Sequence, residues 1–373
     1  MTLRTLLQRG FRNLSPWEVD VPVGMVAVVG PNGAGKTSLL ESVSVLGNLT
    51  SFRPGTPADW IQRGAPGFEL AADLLHGETV VRLVQRLAER PGAVRQLFRG
   101  SRRLGSGEYL SLCPVATFFS YDSGLIAGGP QERRRFLDRL AFHLHSETLL
   151  ISQRYRRALA QRNALLRGNG TDSELEAFEN DLAFLGGRLV VLRRRVIAGL
   201  QPLLAAELEA LSPSLLRPFL RYNAADEAGE GDATAVAARL RGLLQRERRR
   251  DRRDGLTRVG PHRHDLEVTV QGFPARTMLS AGQVKVLAIA LKFAALGMIA
   301  QARGEVPTVV FDDVDAELDG GVLVRVLKRL ASCPQALIST AHEDMVVPRL
   351  SDATLWRMDA GTVHANGGER SRL

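Results

Sequence analysis

One run in the sequence has a chemical use for almost every residue. Gly30-Pro31-Asn32-Gly33-Ala34-Gly35-Lys36-Thr37 satisfies the pattern G-x-x-x-x-G-K-[ST] and is followed by Ser38. Its glycines let the backbone curl so that successive N–H groups converge on phosphate oxygens. A helix opening near Lys36 would aim the positive end of its dipole at the same anion. Lys36 would then reach the β- and γ-phosphates, and the Thr37 hydroxyl would ligate Mg²⁺. Only four of the 49 basic residues are lysine: Lys36, Lys285, Lys292 and Lys328. In such a chain a surviving lysine points to a need for a compact, mobile ammonium.

A second chemical site lies far along the chain. Pro307-Thr308-Val309-Val310-Phe311-Asp312-Asp313 reads as an apolar strand ending in paired carboxylates, the form of a Walker B motif. Asp312 would hold Mg²⁺, directly or through water, and Asp313 would polarise an attacking water. Asp313 and Lys36 are the expected catalytic residues. Adjacent acids repel unless a cation sits nearby. Before this strand, Leu279-Ser280-Ala281-Gly282-Gln283 opens a strongly apolar helix, where a serine hydroxyl and bare N–H groups make an anion receptor.

These motifs need elements to carry them. Met25–Gly30 (MVAVVG) is a short valine-rich run suited to a buried parallel strand, and the residues from Thr37 have helical spacing. Residues 68–87 read as two strands around a His-Gly turn, and residues 116–120 as another buried strand. From Gln131 to about Leu211 the pattern turns helical. A helix ending at the Gly-Asn-Gly turn 168–170 would be followed by a second one, opened by Thr171 and Glu174 at capping-box spacing. That helix would run through Arg195 or as far as Leu211, with Gly186-Gly187 as a place to bend. The expected hairpin has arms of 30–40 residues, about 50 Å at most, and lacks heptads. Residues 223–234 read as a polar loop and 243–255 as a charged connector. Strand and helix alternate again from Arg258, ending in a hairpin near Met358–His364. The expectation is an α/β chain with an ATPase lobe at 1–130 and 255–373. A mainly helical lobe, 131–254, with a short antiparallel arm, would interrupt it.

Composition narrows the setting. No run of about 18 apolar residues is present, so no membrane span is expected. The first residues lack the apolar core and cleavage site of a secretory signal. Cys113 and Cys333 stand far apart, which excludes a disulfide framework and a cysteine zinc site. A cytoplasmic protein is the expectation. The net charge is +9, but arginine enrichment throughout makes charge alone weak evidence for a nucleic-acid partner. More pointed is residues 133–195, with thirteen arginines against seven acids. Arg154, Arg156, Arg157, Arg193, Arg194 and Arg195 are candidate phosphate contacts, whose binding would weaken steeply with salt. Residues 248–253 are a second candidate.

The Ser280 segment resembles the LSGGQ signature of the ABC ATPases, with Ala281 in place of a glycine. In that superfamily the signature Ser280, Ala281, Gly282 and Gln283 would cap the nucleotide of a second copy. Asp319, in Glu317-Leu318-Asp319, would be the D-loop residue. The switch role after the strand 336–340 stays open between Thr340 and His342. Further segments sharpen the likeness: Gly10-Phe11-Arg12-Asn13, Ser51-Phe52-Arg53, residues 129–138 (GPQERRRFLD), Gln161-Arg162-Asn163 and Gly260-Pro261-His262-Arg263. With them the chain resembles the RecF family of SMC-like ABC ATPases over essentially its whole length. His264, where an acid is usual, and Lys285, where arginine is usual, depart from the pattern.

The resemblance implies ATP as nucleotide, Arg12 as a further contact to it and an ATP-dependent homodimer. It also implies binding to double-stranded or gapped DNA and cooperation with RecR and RecO in loading RecA. The residues 133–138 (RRRFLD) and 260–263 (GPHR) would brace one lobe against the other through arginine–carboxylate pairs. A transporter subunit is disfavoured because Lys36 and Asp312 lie about twice as far apart as it needs, and a cohesin-like SMC because the arm is too short. A DNA clamp with incidental hydrolysis, or another SMC-like ATPase, is the alternative.

Overall fold

In a computed structural model, the described residues are 2–90, 92, 94–168, 170–215, 217–224, 229–350 and 352–365. Asn169, in the expected Gly-Asn-Gly turn, and residues 225–228, in the expected polar loop, lie outside them. The chain divides into two compact units. One comprises Met1–Asp122, Ala210–Ser212 and Ile299–Leu373; the other comprises Ser123–Glu209 and Pro213–Met298.

The first unit is built on two six-stranded sheets. In one, strands Val115–Phe118, Thr308–Phe311, Gln335–Thr340, Gly24–Val29 and Ala353–Asp359 run parallel, and Thr362–Ala365 adds an antiparallel edge. The four-residue run Thr308–Phe311 and the last five residues of Gly24–Val29 are buried throughout, as strands covered on both faces must be. Register matters more than composition here. Val29 pairs with Thr340 and Phe311 with Ile338, so the carboxyl ends of three neighbouring strands meet at one edge. Ligands bind outside that edge in parallel α/β sheets. The other sheet is antiparallel, with Gly67–His76 and Thr79–Ala88 joined by the expected tight turn, where Gly77 takes φ 59. The expected terminal hairpin is also present, turning through Ala360 and Gly361.

The second unit is mainly helical. Helices Glu147–Arg167 and Asp172–Leu211 form the expected hairpin with unequal arms of 21 and 40 residues, so the first is shorter than the pattern suggested. The Thr171–Glu174 capping box forms, with reciprocal backbone bonds of 2.7 and 3.3 Å. Gly186-Gly187 does not interrupt the helix. A Cβ on Gly187 would stand 2.4 Å from the Ala233 carbonyl oxygen, so these glycines let another helix approach. That neighbour, Ala233–Asp254, includes the residues expected to be a charged connector. Asp232 caps it, accepting from the Ala235 N–H at 2.8 Å, and Gly255 ends it at φ 67. The connector reading failed because opposing carboxylates neutralise several of its arginines.

The boundary differs from expectation as well. Strand Asp265–Val270 pairs along its length with Pro218–Asn223, which ties residues 255–298 to the helical unit rather than to the P-loop unit. The bracing pairs exist, but inside that same unit: Arg133 grips Asp265 at 2.7 and 2.9 Å, and Arg193 grips Asp138 at 2.8 and 3.0 Å. Arg162, from the Gln-Arg-Asn segment, is fully buried between Glu179 at 3.0 Å and Asp251 at 2.7 Å. Helix Ala281–Arg303 has a mean hydropathy of 1.7 over its most apolar window, and 72% of that window is buried, as in a core helix.

Candidate nucleotide site

The phosphate loop leaves the carboxyl end of strand Gly24–Val29 and enters helix Lys36–Asn48. Gly30 takes φ 147, and a Cβ there would fall 2.3 Å from the Met358 carbonyl oxygen, so no other residue fits. Gly35 stands at the helix start with φ 109, and the first turn carries neither a capping side chain nor an acid. Its free N–H groups are therefore available to an anion. Pro31, Asn32 and Gly33 are exposed, whereas Ala34, Gly35, Lys36 and Ser38 are buried. Lys36 donates to the Gly30 and Pro31 carbonyls at 2.7 and 3.0 Å, which curls its ammonium back over the loop. Asn13 braces the loop: its amide donates to Gly33 at 3.3 Å and its oxygen accepts from Ser38 at 2.7 Å.

Asp312 and Asp313 follow strand Thr308–Phe311 as expected. Ser339 on the adjacent strand ties them together. Its hydroxyl donates to Asp312 at 2.7 Å and accepts from the Asp313 N–H at 2.9 Å. Burial pushes the Asp312 carboxyl up to about 6, and the Asp313 charge adds to that; bonds from Ser339 and Thr37 and the Arg53 charge oppose it. Burial lowers the Lys36 ammonium, against the pull of Asp313, Asp312 and Asp315. The loop cation and the strand-end acids thus share one site. The Thr37–Asp312 bond brings together the two oxygen ligands expected for Mg²⁺, a metal commonly held by one or two carboxylates and substrate phosphates. The fit is good: a bound cation would supply the positive charge that a buried Asp312 beside Asp313 needs.

Other expected residues have more specific places. Arg12 takes φ 53 and grips the buried Glu41 at 2.5 and 3.0 Å, while Arg53 reaches the same carboxylate at 3.3 Å and Ser51 donates to it at 2.5 Å. Asp319 caps helix Gly320–Ala331, accepting from the Val322 N–H at 2.8 Å. Thr340 is buried and its hydroxyl accepts from the His342 N–H at 2.9 Å. The exposed His342 ring bonds the buried Asp315 at 2.6 Å. Glu41 and Ser339 escaped the sequence reading because a lone acid or serine on an apolar segment has no local signature, and Asp315 because it stands among other acids, with nothing local to mark it as the one that meets His342.

In the second unit the signature turn is open. Ser280, Ala281, Gly282 and Gln283 are all exposed, and among the described residues nothing beyond its chain neighbours and its own helix backbone lies within 4 Å of where a Gly282 Cβ would be. Gln283 accepts from the Ser280 N–H at 2.9 Å, and the Gln283 N–H donates to the Ser280 hydroxyl at 3.3 Å, a capping box that shapes the turn. Among the candidate DNA contacts, Arg154, Arg156, Arg157 and Arg195 are exposed. Arg193 must be withdrawn: it is buried, held by Asp138 and by the Pro261 carbonyl at 2.6 Å. Arg194 is half-buried and bonds the Gly231 carbonyl at 2.8 Å. Three consecutive helix positions point three ways, so the run could not present all its charges to one partner.

A phosphate loop, a paired-acid strand end and a Ser-Ala-Gly-Gln helix start on this arrangement of sheets define an SMC-like ABC ATPase head. Comparison with known proteins agrees. The model of the RecF/RecN/SMC N terminal domain matches residues 2–355. The chain is 34% identical over 365 residues to the DNA replication and repair protein RecF of Myxococcus xanthus, covering 95% of each. It is 35% identical over 372 residues to that of Anaeromyxobacter dehalogenans, covering 97% of this chain and 99% of the relative. Among solved structures, the recombination mediator protein RecF-ATPrS of the RecFOR pathway superposes with a TM-score of 0.89 at 23% identity, covering 98% of both chains. An SMC head bound to the C-winged helix domain of ScpA gives 0.56 at 18% identity, covering 97% and 95%. The chain belongs to the RecF family.

Proposed function

We propose that this protein is an ATP-driven DNA-binding protein of recombinational repair that acts in the cytoplasm. ATP occupies the Gly30–Ser38 loop, with Lys36 on its terminal phosphates and Thr37 and Asp312 holding Mg²⁺. The exposed Ser280 turn of a second copy completes the pocket, so two copies share two nucleotides and close on double-stranded or gapped DNA. Binding then doubles as a dimerisation switch. RecR, with RecO, is the proposed partner, and support of RecA loading the proposed outcome. Asp313 orients a water for attack on the γ-phosphorus and accepts its proton as the bond to the bridging oxygen breaks, releasing ADP and phosphate. The side chain of Asp313 is short for this task, so turnover is slow, weak and stimulated by DNA, resetting the dimer. A rate above roughly 10 per second, near the enzyme median, would refute the slow-switch reading.

The observation that carries the proposal is the pairing of a complete phosphate loop and acid pair with a signature turn left open to solvent. Solution mass measured without nucleotide, with ATP, and with ATP plus a gapped duplex tests it. ATP should double the mass and the duplex should join the doubled species. A monomer under all three conditions would overturn it.

A further inference from the structure

Helix Ala233–Asp254 sorts its residues onto separate faces. Val236, Leu240, Leu244 and Asp251 are buried. On a second face Arg241 pairs with Glu176 at 3.3 Å, Arg248 with Glu179 at 2.6 Å and Arg252 with Asp172 at 2.7 Å. A third face holds Arg239, Arg246, Arg249, Arg250 and Arg253, whose separations of three, four and seven align them on one side. All five are exposed. Arg239, Arg246 and Arg249 have no ion pair among the described residues. Arg250 reaches Glu247 only at 3.7 Å, and Arg253 touches its neighbour Asp254, which Arg258 also binds. Of the helix's own acids, Asp251 is buried, while Glu247, three before Arg250, and Asp254, four after it, stand at the edge of this face.

An arginine-rich composition would scatter such charges. Instead, several arginines on the second face are matched to carboxylates from other helices, whereas on the third Arg239, Arg246 and Arg249 have no ion pair among the described residues and Arg250 and Arg253 meet only acids of their own helix. Like charges three and four apart repel and destabilise a helix. The fourteen rises of 1.5 Å from Arg239 to Arg253 make the row about 21 Å long. A guanidinium binds phosphate in a planar, two-pronged fashion, and DNA is the polyanion whose charges repeat along such a line.

We propose that this face lies along the sugar–phosphate backbone of duplex DNA and binds it without regard to sequence. The inference rests on the DNA-binding reading above and adds a surface that the arm arginines do not include. The test compares the full chain with the variant Arg246→Gln/Arg250→Gln/Arg253→Gln. Duplex binding is followed by fluorescence anisotropy with ATP between 50 and 200 mM salt. The slope of log affinity against log salt should become shallower by up to about 2.7, at about 0.9 per phosphate contact. Arg241→Gln, on the paired face, should keep the parent slope. Thermal melts establish that the triple variant is folded; if its melt moves, the single variants Arg246→Gln and Arg250→Gln replace it, each expected to remove up to about 0.9. An unchanged slope while the parent binds duplex overturns this surface, as does loss of polyglutamate binding alone, which would assign the face to an acidic protein. Failure of the parent to bind duplex at all would instead strike the DNA reading.

Discussion

Replacing Arg162 with methionine removes a guanidinium that is fully buried between Glu179 and Asp251 and also donates to Thr257 at 2.8 Å. Glu179 keeps a cation, since Arg248 donates to it at 2.6 and 3.1 Å. Asp251 keeps only neutral help among the described residues, the Arg258 N–H at 3.1 Å. Breaking one side of a buried ion pair typically costs about 3–5 kcal/mol. For a cooperative unit of this size that corresponds to about 6–20 °C in melting temperature. The pH dependence is diagnostic. Burial already raises the Asp251 pKa, against the pull of Arg162, and losing Arg162 raises it further. A carboxyl with a higher pKa folded than unfolded favours the folded state in its protonated form. Stability therefore falls as pH rises through that window and recovers as pH drops toward about 4, the unfolded value. Denaturant unfolding of parent and variant, followed by circular dichroism at pH 8 and pH 5, should show the deficit shrinking in acid. Adding Asp251→Leu should restore more than half of it. A deficit under about 1 kcal/mol, or one indifferent to pH, would refute the view that Arg162 neutralises these acids.

Lys36→Met should remove high-affinity ATP binding in equilibrium titration while leaving the melt near that of the parent; unchanged affinity would reject the assigned cradle. Ser280→Arg places a bulky cation on an exposed turn, so one copy should still bind ATP yet sediment as a monomer where the parent dimerises. Equal dimerisation would remove the turn from the interface. Arg156→Glu/Arg157→Glu should weaken duplex binding and flatten its salt dependence by up to about 1.8, from two lost phosphate contacts. An unaltered slope would take the arm out of the DNA path.

What could be read in advance was whatever is chemically local. The phosphate loop declares itself in eight consecutive residues, because one turn of backbone must do all the work, and Asp312-Asp313 and the Ser280 turn are nearly as compact. The strand 24–29, the tight hairpin 67–88 and the Thr171 capping box followed from short-range pattern alone. Long-range pairing was invisible. Nothing near Ser339 in the sequence marks it as the tie between two acids on another strand. Arg193 looked like a surface charge because its partner, Asp138, lies on a different helix. The charge-dense segment 243–255 looked like a connector for the same reason, since Glu179 and Asp172 are supplied from elsewhere. The unit boundary was misjudged because strand 265–270 pairs along its length with a partner some forty to fifty residues before it, which no local pattern marks.

Glu41 draws three stretches of chain to one point: the turn after the first strand through Arg12, the Ser51–Arg53 segment, and the helix on which it stands. Two guanidinium groups serving a single acid give the arrangement a spare. Loss of Arg53 leaves the acid neutralised, and so does loss of Arg12, whereas loss of the acid strands both cations and unhitches all three stretches together. Tolerance of substitution around the nucleotide pocket should thus be lopsided, lenient toward either arginine and severe toward the carboxylate they share.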